Sequence, residues 1–274
     1  MIAGNDGSSR LIALDIDGTV LHEDGGASPR VRRAVRAVVD AGHEVMLATG
    51  RSVATTLPIL ELLGITPEYV VCSNGAITLQ ADPSAPYGYR REIVETFDPA
   101  EVLTTISDAL SDARYAVEDE SGFFRYTESF PQGAVGLASR QVTFQELMHV
   151  EATRVVVISP NHGTEEFLGV VERMGLHRVS YAVGWTAWLD IAPDGVNKAT
   201  ALERVRERLG VPRGRVVAVG DGRNDIEMLE WAAQEGWGVA MGQAPADVRS
   251  AAGSVAGSVA DDGLADVLES LVAP

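Results

Sequence analysis

The stretch Arg10-Leu-Ile-Ala-Leu-Asp-Ile-Asp-Gly-Thr19 constrains this chain more than any other. It opens as an apolar run of strand length and then places Asp15 and Asp17 two residues apart. Alternate residues of a strand point to one face, so both acids can address one spot near its C-terminal end. Gly18 and Thr19 follow at once and let the chain turn sharply out of a sheet. Two carboxylates about 4 Å apart repel by roughly 4 kcal/mol at an effective dielectric near 20. Such a pair needs a cation or a shared proton, unless it is solvated at a sheet edge.

The segments that follow repeat one plan. Ser28-Pro29 reads as an N-cap and first-turn proline, and Val31, Val35, Val38 and Val39 then fall on one helical face. Glu44–Ala48 reads as a buried strand ending in Thr49-Gly50-Arg51, Ser52–Leu63 as a helix, and Tyr69–Cys72 as a strand ending in Ser73-Asn-Gly75. Alternating strands and helices, with small polar residues at strand ends, predict an α/β fold: a Rossmann-like three-layer core around a parallel sheet, with its site at the strands' C-terminal edge.

A Pro/Gly-rich break at Asp82–Tyr89 interrupts this plan. Beyond it the pattern predicts helices over Pro99–Leu110 and Thr164–Met174 and strands over Ala116–Tyr126, Gln141–Phe144, Arg154–Ile158 and Val179–Ile191. This reads as an inserted α+β domain over residues 83–192. The α/β plan resumes at Asn197, with a helix over Lys198–Leu209 and a buried strand over Arg215–Val219. That strand ends in Gly220-Asp-Gly-Arg-Asn-Asp225. A helix over Ile226–Gln234, a strand over Gly238–Met241 and two terminal helices complete a core made of residues 1–82 and 193–274.

Composition narrows the function. At 274 residues the chain can bury a sizeable core. A formal charge of −17 argues against nucleic-acid binding. The single cysteine, Cys72, excludes an internal disulfide and any multi-cysteine metal cluster, and its place in an apolar run reads as a buried structural thiol. The first residues lack the apolar core of a signal peptide, and no run of about 18 apolar residues spans a membrane. A cytoplasmic protein, monomer or homodimer, is expected.

A doubly wound sheet brings Asp15/Asp17, Thr49, Lys198 and Asp221/Asp225 to one edge. Carboxylates in that number suit Mg²⁺, which keeps waters for a phosphate to displace. A calcium EF-hand over Asp221–Asp225 fails, because Ile226 and Ala232 stand where that loop needs glycine and glutamate. Taken singly, Thr49 is also read as an N-cap and Lys198 as a solvated first-turn residue.

Asp15-Ile-Asp-Gly-Thr19, Thr49-Gly-Arg51, Lys198 and Gly220-Asp-Gly-Arg-Asn-Asp225 resemble, in order and spacing, the four motifs of the haloacid dehalogenase (HAD) superfamily. Ser73-Asn-Gly-Ala76, Gly195-Val-Asn-Lys198 and Ala240-Met-Gly242 further resemble its Cof-type, class IIB branch. The resemblance implies a Mg²⁺-dependent phosphatase acting on a small phosphorylated metabolite, most simply a sugar phosphate. It implies Asp15 as nucleophile and Asp17 as general acid/base. It places Mg²⁺ on the Asp15 carboxylate, the Asp17 carbonyl and Asp221, with Asp225 in support. Thr49, Gly50, Lys198 and Asn224 would hold the substrate, and the inserted domain would act as a cap. Gln243 and Ala199 depart from the branch, where asparagine and glycine are common. A phosphomutase and a phosphate-binding module are the alternative functions. In the cap, Trp185, Trp188, Arg125, Arg140 and His149 are candidates for substrate contact or plain packing and surface, as is His22 beside the first motif.

Overall fold

The computed structural model describes residues 9–110, 112–130, 138–174, 176, 179–183 and 187–273. In chain order the first unit contains β1 (Leu11–Leu14), α1 (Pro29–Asp40), β2 (Glu44–Leu47), α2 (Val53–Leu63), β3 (Tyr69–Cys72), β4 (Ile77–Ala81) and β5 (Tyr89–Val94). A second stretch holds α3 (Ala100–Ala109), β6 (Arg114–Glu118), β7 (Phe124–Tyr126), β8 (Ser139–Gln141), α4 (Phe144–Leu147), β9 (Arg154–Ile158), α5 (Thr164–Met174), β10 (Val179–Val183) and β11 (Trp188–Pro193). The chain closes with α6 (Lys198–Leu209), β12 (Val216–Gly220), α7 (Ile226–Ala233), β13 (Trp237–Ala240), α8 (Ala246–Ala251), β14 (Ser254–Val255) and α9 (Gly263–Val272).

Five strands form an all-parallel sheet in the order β14-β13-β12-β1-β2. Strand alternation divides the side chains of β1 between two apolar layers. Ile12 and Leu14 pack with Val35 and Val38 of α1, Leu60 and Leu63 of α2, and Leu264 and Leu268 of α9. Leu11 and Ala13 pack with Leu202 and Val205 of α6 and Met228 and Leu229 of α7. Burying both faces is what makes β1 apolar throughout, at roughly 1.5–3 kcal/mol for each large aliphatic side chain. Local chemistry sets the helix ends: Ser28 Oγ accepts from the Val31 amide, as expected of an N-cap, and Asn197 and Thr200 cap α6 reciprocally.

Past β2, Ala48 bridges Val71 in parallel and β3, β4 and β5 follow as an antiparallel sheet. The Pro/Gly-rich stretch Asp82–Tyr89 is therefore the connection of a hairpin, and the expected boundary at 82/83 falls inside it. Hydrogen bonding keeps the chain with β4 through Val94.

The second sheet runs β10-β11-β9-β6-β7-β8 and is antiparallel apart from the β7–β8 pair. Three expected strands divide differently. Ala116–Tyr126 is two strands, because Asp119 Oδ1 accepts the amides of Ser121 and Phe123 and builds a turn. Gln141–Phe144 ends its strand at Gln141, where Thr143 caps a short helix. Val179–Ile191 is two paired strands. Tyr115, Val117, Val155, Val157, Leu189 and Ile191 pack under α3, α4 and α5. The alternate residues Glu118, Arg154, Trp188 and Asp190 point to the other face. No helix among the described residues is long and apolar enough to cross a membrane.

Candidate active site

β1 lies inside the parallel sheet, with β2 on one side and β12 on the other. The strand order reverses there, which opens a crevice beyond the strands' C-terminal ends. Asp15 enters it directly after β1, its amide donating to the Val219 carbonyl at 2.9 Å. Asp221 enters from β12, and the turn at Arg223–Asp225 brings Asp225 back beneath it. Oxygens of Asp15, Asp221 and Asp225, all buried, lie within 4.8 Å of one another.

Lys198 neutralises part of this charge. It begins α6, is 1% exposed, and its Nζ lies 2.6 Å from Asp15 Oδ1 and 2.6 Å from Asp225 Oδ1. The alternative of a solvated first-turn lysine is thereby excluded. The other Asp225 oxygen accepts the amides of Asp221 (3.0 Å) and Gly222 (2.9 Å). Burial and the neighbouring carboxylates hold Asp15 well above the usual carboxylate range, although Lys198 opposes them. Burial, then Asp225, pushes Asp221 up to about 7. Burial alone would lower Lys198, but Asp15 and Asp225 outweigh it and raise the ammonium pKa. Three carboxylates against one ammonium leave an excess negative charge that a hard divalent cation offsets, and the donor atoms are all oxygen. The residues present fit such an ion.

Asp17 stands apart from this cluster. Its carboxylate is largely exposed and is gripped by the Arg51 guanidinium. Gly18, at φ +76°, sits so close that a Cβ there would be 2.1 Å from Asp221 Oδ2. Thr49 is buried, and its hydroxyl accepts the Arg51 amide at 3.1 Å. It does not cap α2, whose N-cap is Ser52. Gly50 lies against the side-chain amides of Asn74 and Asn224. Asn224 donates to Asn74 Oδ1 at 3.0 Å.

Two contacts were not legible beforehand. Gln243 Nε2 donates to the Gly18 carbonyl (2.6 Å) and to Asp221 Oδ2 (3.3 Å), so the departure at this position bears directly on the cluster. Asn74 joins the site through the Ser73-Asn-Gly75 turn, whose Asn-Gly pair was the available signal. A cavity beside Lys198 is lined by Asn74 after β3, by Asn224 and Glu227 around the start of α7, and by Ser180 and Asp190 from the six-stranded sheet.

Trp188 Nε1 donates to Asp190, Arg125 pairs with Asp119, and His22 lies 4.0 Å from Asp262. Arg140 and His149 are exposed, and Trp185 lies outside the described residues. Cys72 is buried and its thiol is pushed up to about 12, an inert group.

Residues 12–268 match the haloacid dehalogenase-like hydrolase family. The chain is 27% identical to the 5-amino-6-(5-phospho-D-ribitylamino)uracil phosphatase YitU of Bacillus subtilis, over 94% of this chain and 96% of that protein. It is 30% identical to a phosphoglycolate phosphatase of Natronomonas pharaonis, over 94% and 96%. Its fold is similar to that of the HAD subclass IIB sugar phosphatase BT4131, with a TM-score of 0.79 at 21% identity, over 96% of this chain and 98% of that one.

Proposed function

This chain belongs to the haloacid dehalogenase-like hydrolases and is a phosphatase, and from that premise we propose that it hydrolyses a small sugar phosphate through an aspartyl-phosphate on Asp15, with Mg²⁺ as its ion. The observation that carries this reading is the seating of Asp15: buried at the end of β1, bonded to Lys198, and within reach of Asp221 and Asp225.

In the proposed reaction a carboxylate oxygen of Asp15 attacks phosphorus in line and the ester oxygen departs. Asp17 gives that oxygen its proton. Water then attacks the aspartyl-phosphate, Asp17 takes the water's proton, and the Asp15 carboxylate is regenerated as phosphate leaves. Thr49, the Gly50 backbone and Lys198 hold the phosphoryl oxygens, with Asn224 beside them. Asp15, Asp221 and the Asp17 carbonyl would hold Mg²⁺, supported by Asp225. When bound, the ion offsets the carboxylates' repulsion of a phosphate dianion.

The six-stranded unit is proposed as the cap that selects the leaving group. Supporting a sugar phosphate, the cavity offers Asn74, Ser180, Asp190, Asn224 and Glu227, side chains suited to hydroxyl groups.

The test is phosphate release from a panel of phosphorylated metabolites, with and without Mg²⁺, by wild type and Asp15→Asn. Metal-dependent release that vanishes in the variant is expected. A folded wild type that releases no phosphate from any member, or returns an isomerised sugar phosphate instead, would overturn the reading.

A further inference from the structure

The turn Ser73-Asn74-Gly75 carries three consecutive left-handed residues, at φ 48°, 52° and 104°. L-residues resist that conformation, so the first two persist only where surrounding contacts over-determine them. The contacts are specific. Ser73 N–H donates to the Arg51 carbonyl (2.9 Å) and Asn74 N–H to the Thr49 carbonyl (3.0 Å). Asn74 Oδ1 accepts from Asn224, next to Asp225. Gly75 packs so closely that a Cβ would lie 2.3 Å from the carbonyl of Asn197, the neighbour of Lys198. One turn thus touches three of the chain segments that supply the site.

The side chain holding this turn from outside comes from the six-stranded sheet. Glu118, on β6, is fully buried, and its Oε2 accepts from Ser73 Oγ at 3.0 Å. Its Oε1 has no hydrogen-bond partner. Leaving a buried carboxylate oxygen unmatched is costly, so the position is not what apolar packing alone would select. Glu118 is the register partner of Arg154 on β9. Arg154 Nε donates to Asp190 Oδ1 at 2.6 Å, and Asp190 lines the cavity beside Lys198. Asp190, Arg154 and Glu118 are therefore polar neighbours between the cavity wall and Ser73, hydrogen-bonded at the two ends and joined between Glu118 and Arg154 by strand register alone.

Taking the centre to be the phosphoryl-transfer site proposed above, we infer that Glu118 is a positioning residue. Through Ser73 it holds the left-handed turn that presents Asn74 to the cavity and braces the Thr49–Arg51 loop. Catalytic competence then depends on the six-stranded unit being docked, not only on which leaving group it admits.

The experiment compares full-length wild type, Glu118→Ala, Glu118→Gln and Ser73→Ala, all with Mg²⁺ and p-nitrophenyl phosphate. Amide hydrogen exchange over residues 73–76 is followed in parallel. Glu118→Ala and Ser73→Ala are expected to lower kcat about tenfold, with KM little changed, and to speed exchange in that segment. Glu118→Gln keeps an acceptor oxygen and should recover most of both. Faster exchange with kcat within about twofold of wild type would mean a merely structural contact and would overturn the inference, as would unchanged exchange. If Glu118→Ala does not fold, Ser73→Ala and Glu118→Gln carry the comparison. Absence of phosphate release by wild type would remove the proposed function, while the exchange rates would still decide whether Glu118 holds the turn.

Discussion

Arg51 holds both carboxylate oxygens of Asp17, its Nε 2.8 Å from Oδ2 and its Nη2 2.5 Å from Oδ1. A planar fork matched to a carboxylate fixes orientation as well as charge. The same arginine donates its amide to Thr49 Oγ1, so one residue ties the proposed acid/base to the loop at the end of β2.

Arg51→Lys keeps the charge and loses the fork. We expect kcat to fall about tenfold, while Mg²⁺ affinity, proposed to rest on Asp15, Asp221 and the Asp17 carbonyl with support from Asp225, stays within about twofold. Steady-state kinetics and Mg²⁺ titration by calorimetry check this, and an equal loss in both would detach Arg51 from Asp17.

Lys198→Met removes the ammonium between Asp15 and Asp225 and leaves uncompensated buried carboxylates. A loss of about 3–5 kcal/mol is expected without metal, together with loss of turnover. In wild type, Mg²⁺ at a hundredfold excess over its Kd should add about 2.7 kcal/mol, seen as a rise of several degrees in Tm. Thermal unfolding with and without Mg²⁺ measures both effects. A Lys198→Met protein as stable as wild type in metal-free buffer would contradict the charge balance described here.

Gly18 and Gly25 have nearly the same backbone angle, φ +76° and +79°, but different surroundings. A Cβ at Gly18 meets Asp221, whereas one at Gly25 meets nothing within 4 Å. Both Gly→Ala changes should cost about 1–2 kcal/mol in backbone strain. Only Gly18→Ala should also abolish phosphate release, and a Gly25→Ala enzyme equally inactive would show that strain, not the clash, was responsible.

Glu203 accepts from Arg206, Arg213 and Trp231, joining α6, α7 and the turn before β12. These hydrogen bonds, that from Arg206 foremost, hold its carboxyl down to about 2. A lowered folded pKa contributes stability that is complete above the unfolded value near 4.5 and is lost as pH falls toward 2. Glu203→Gln should therefore lose about 1 kcal/mol at neutral pH, after allowance for partial exposure, and the gap to wild type should close through that acid window. Denaturant titrations at pH 7 and pH 3 decide it.

Much of the architecture was legible locally. The strand tetrads at Leu11, Glu44 and Tyr69 and the Ser28-Pro29 cap are each set by chemistry within a few residues, and the parallel core follows from the alternation of strands and helices. The β4–β5 hairpin was hidden, since its Pro/Gly connection reads equally as a linker. The turn at Asp119 was hidden as well, because it depends on one side chain folding back on two amides.

The sequence by itself determined which side chains stand at strand ends, because strand periodicity and the turn residues that follow are local properties. Tertiary structure decided which of them meet. Asp15 and Asp221 are more than 200 residues apart in the chain, and only the pairing of β1 with β12 brings their oxygens within reach. Lys198 lies between Asp15 and Asp225, Asp17 turns outward to Arg51, and Gln243 reaches Asp221. Glu118 reaches Ser73 from another sheet. No spacing rule encodes those contacts, since they arise from how separately formed layers pack.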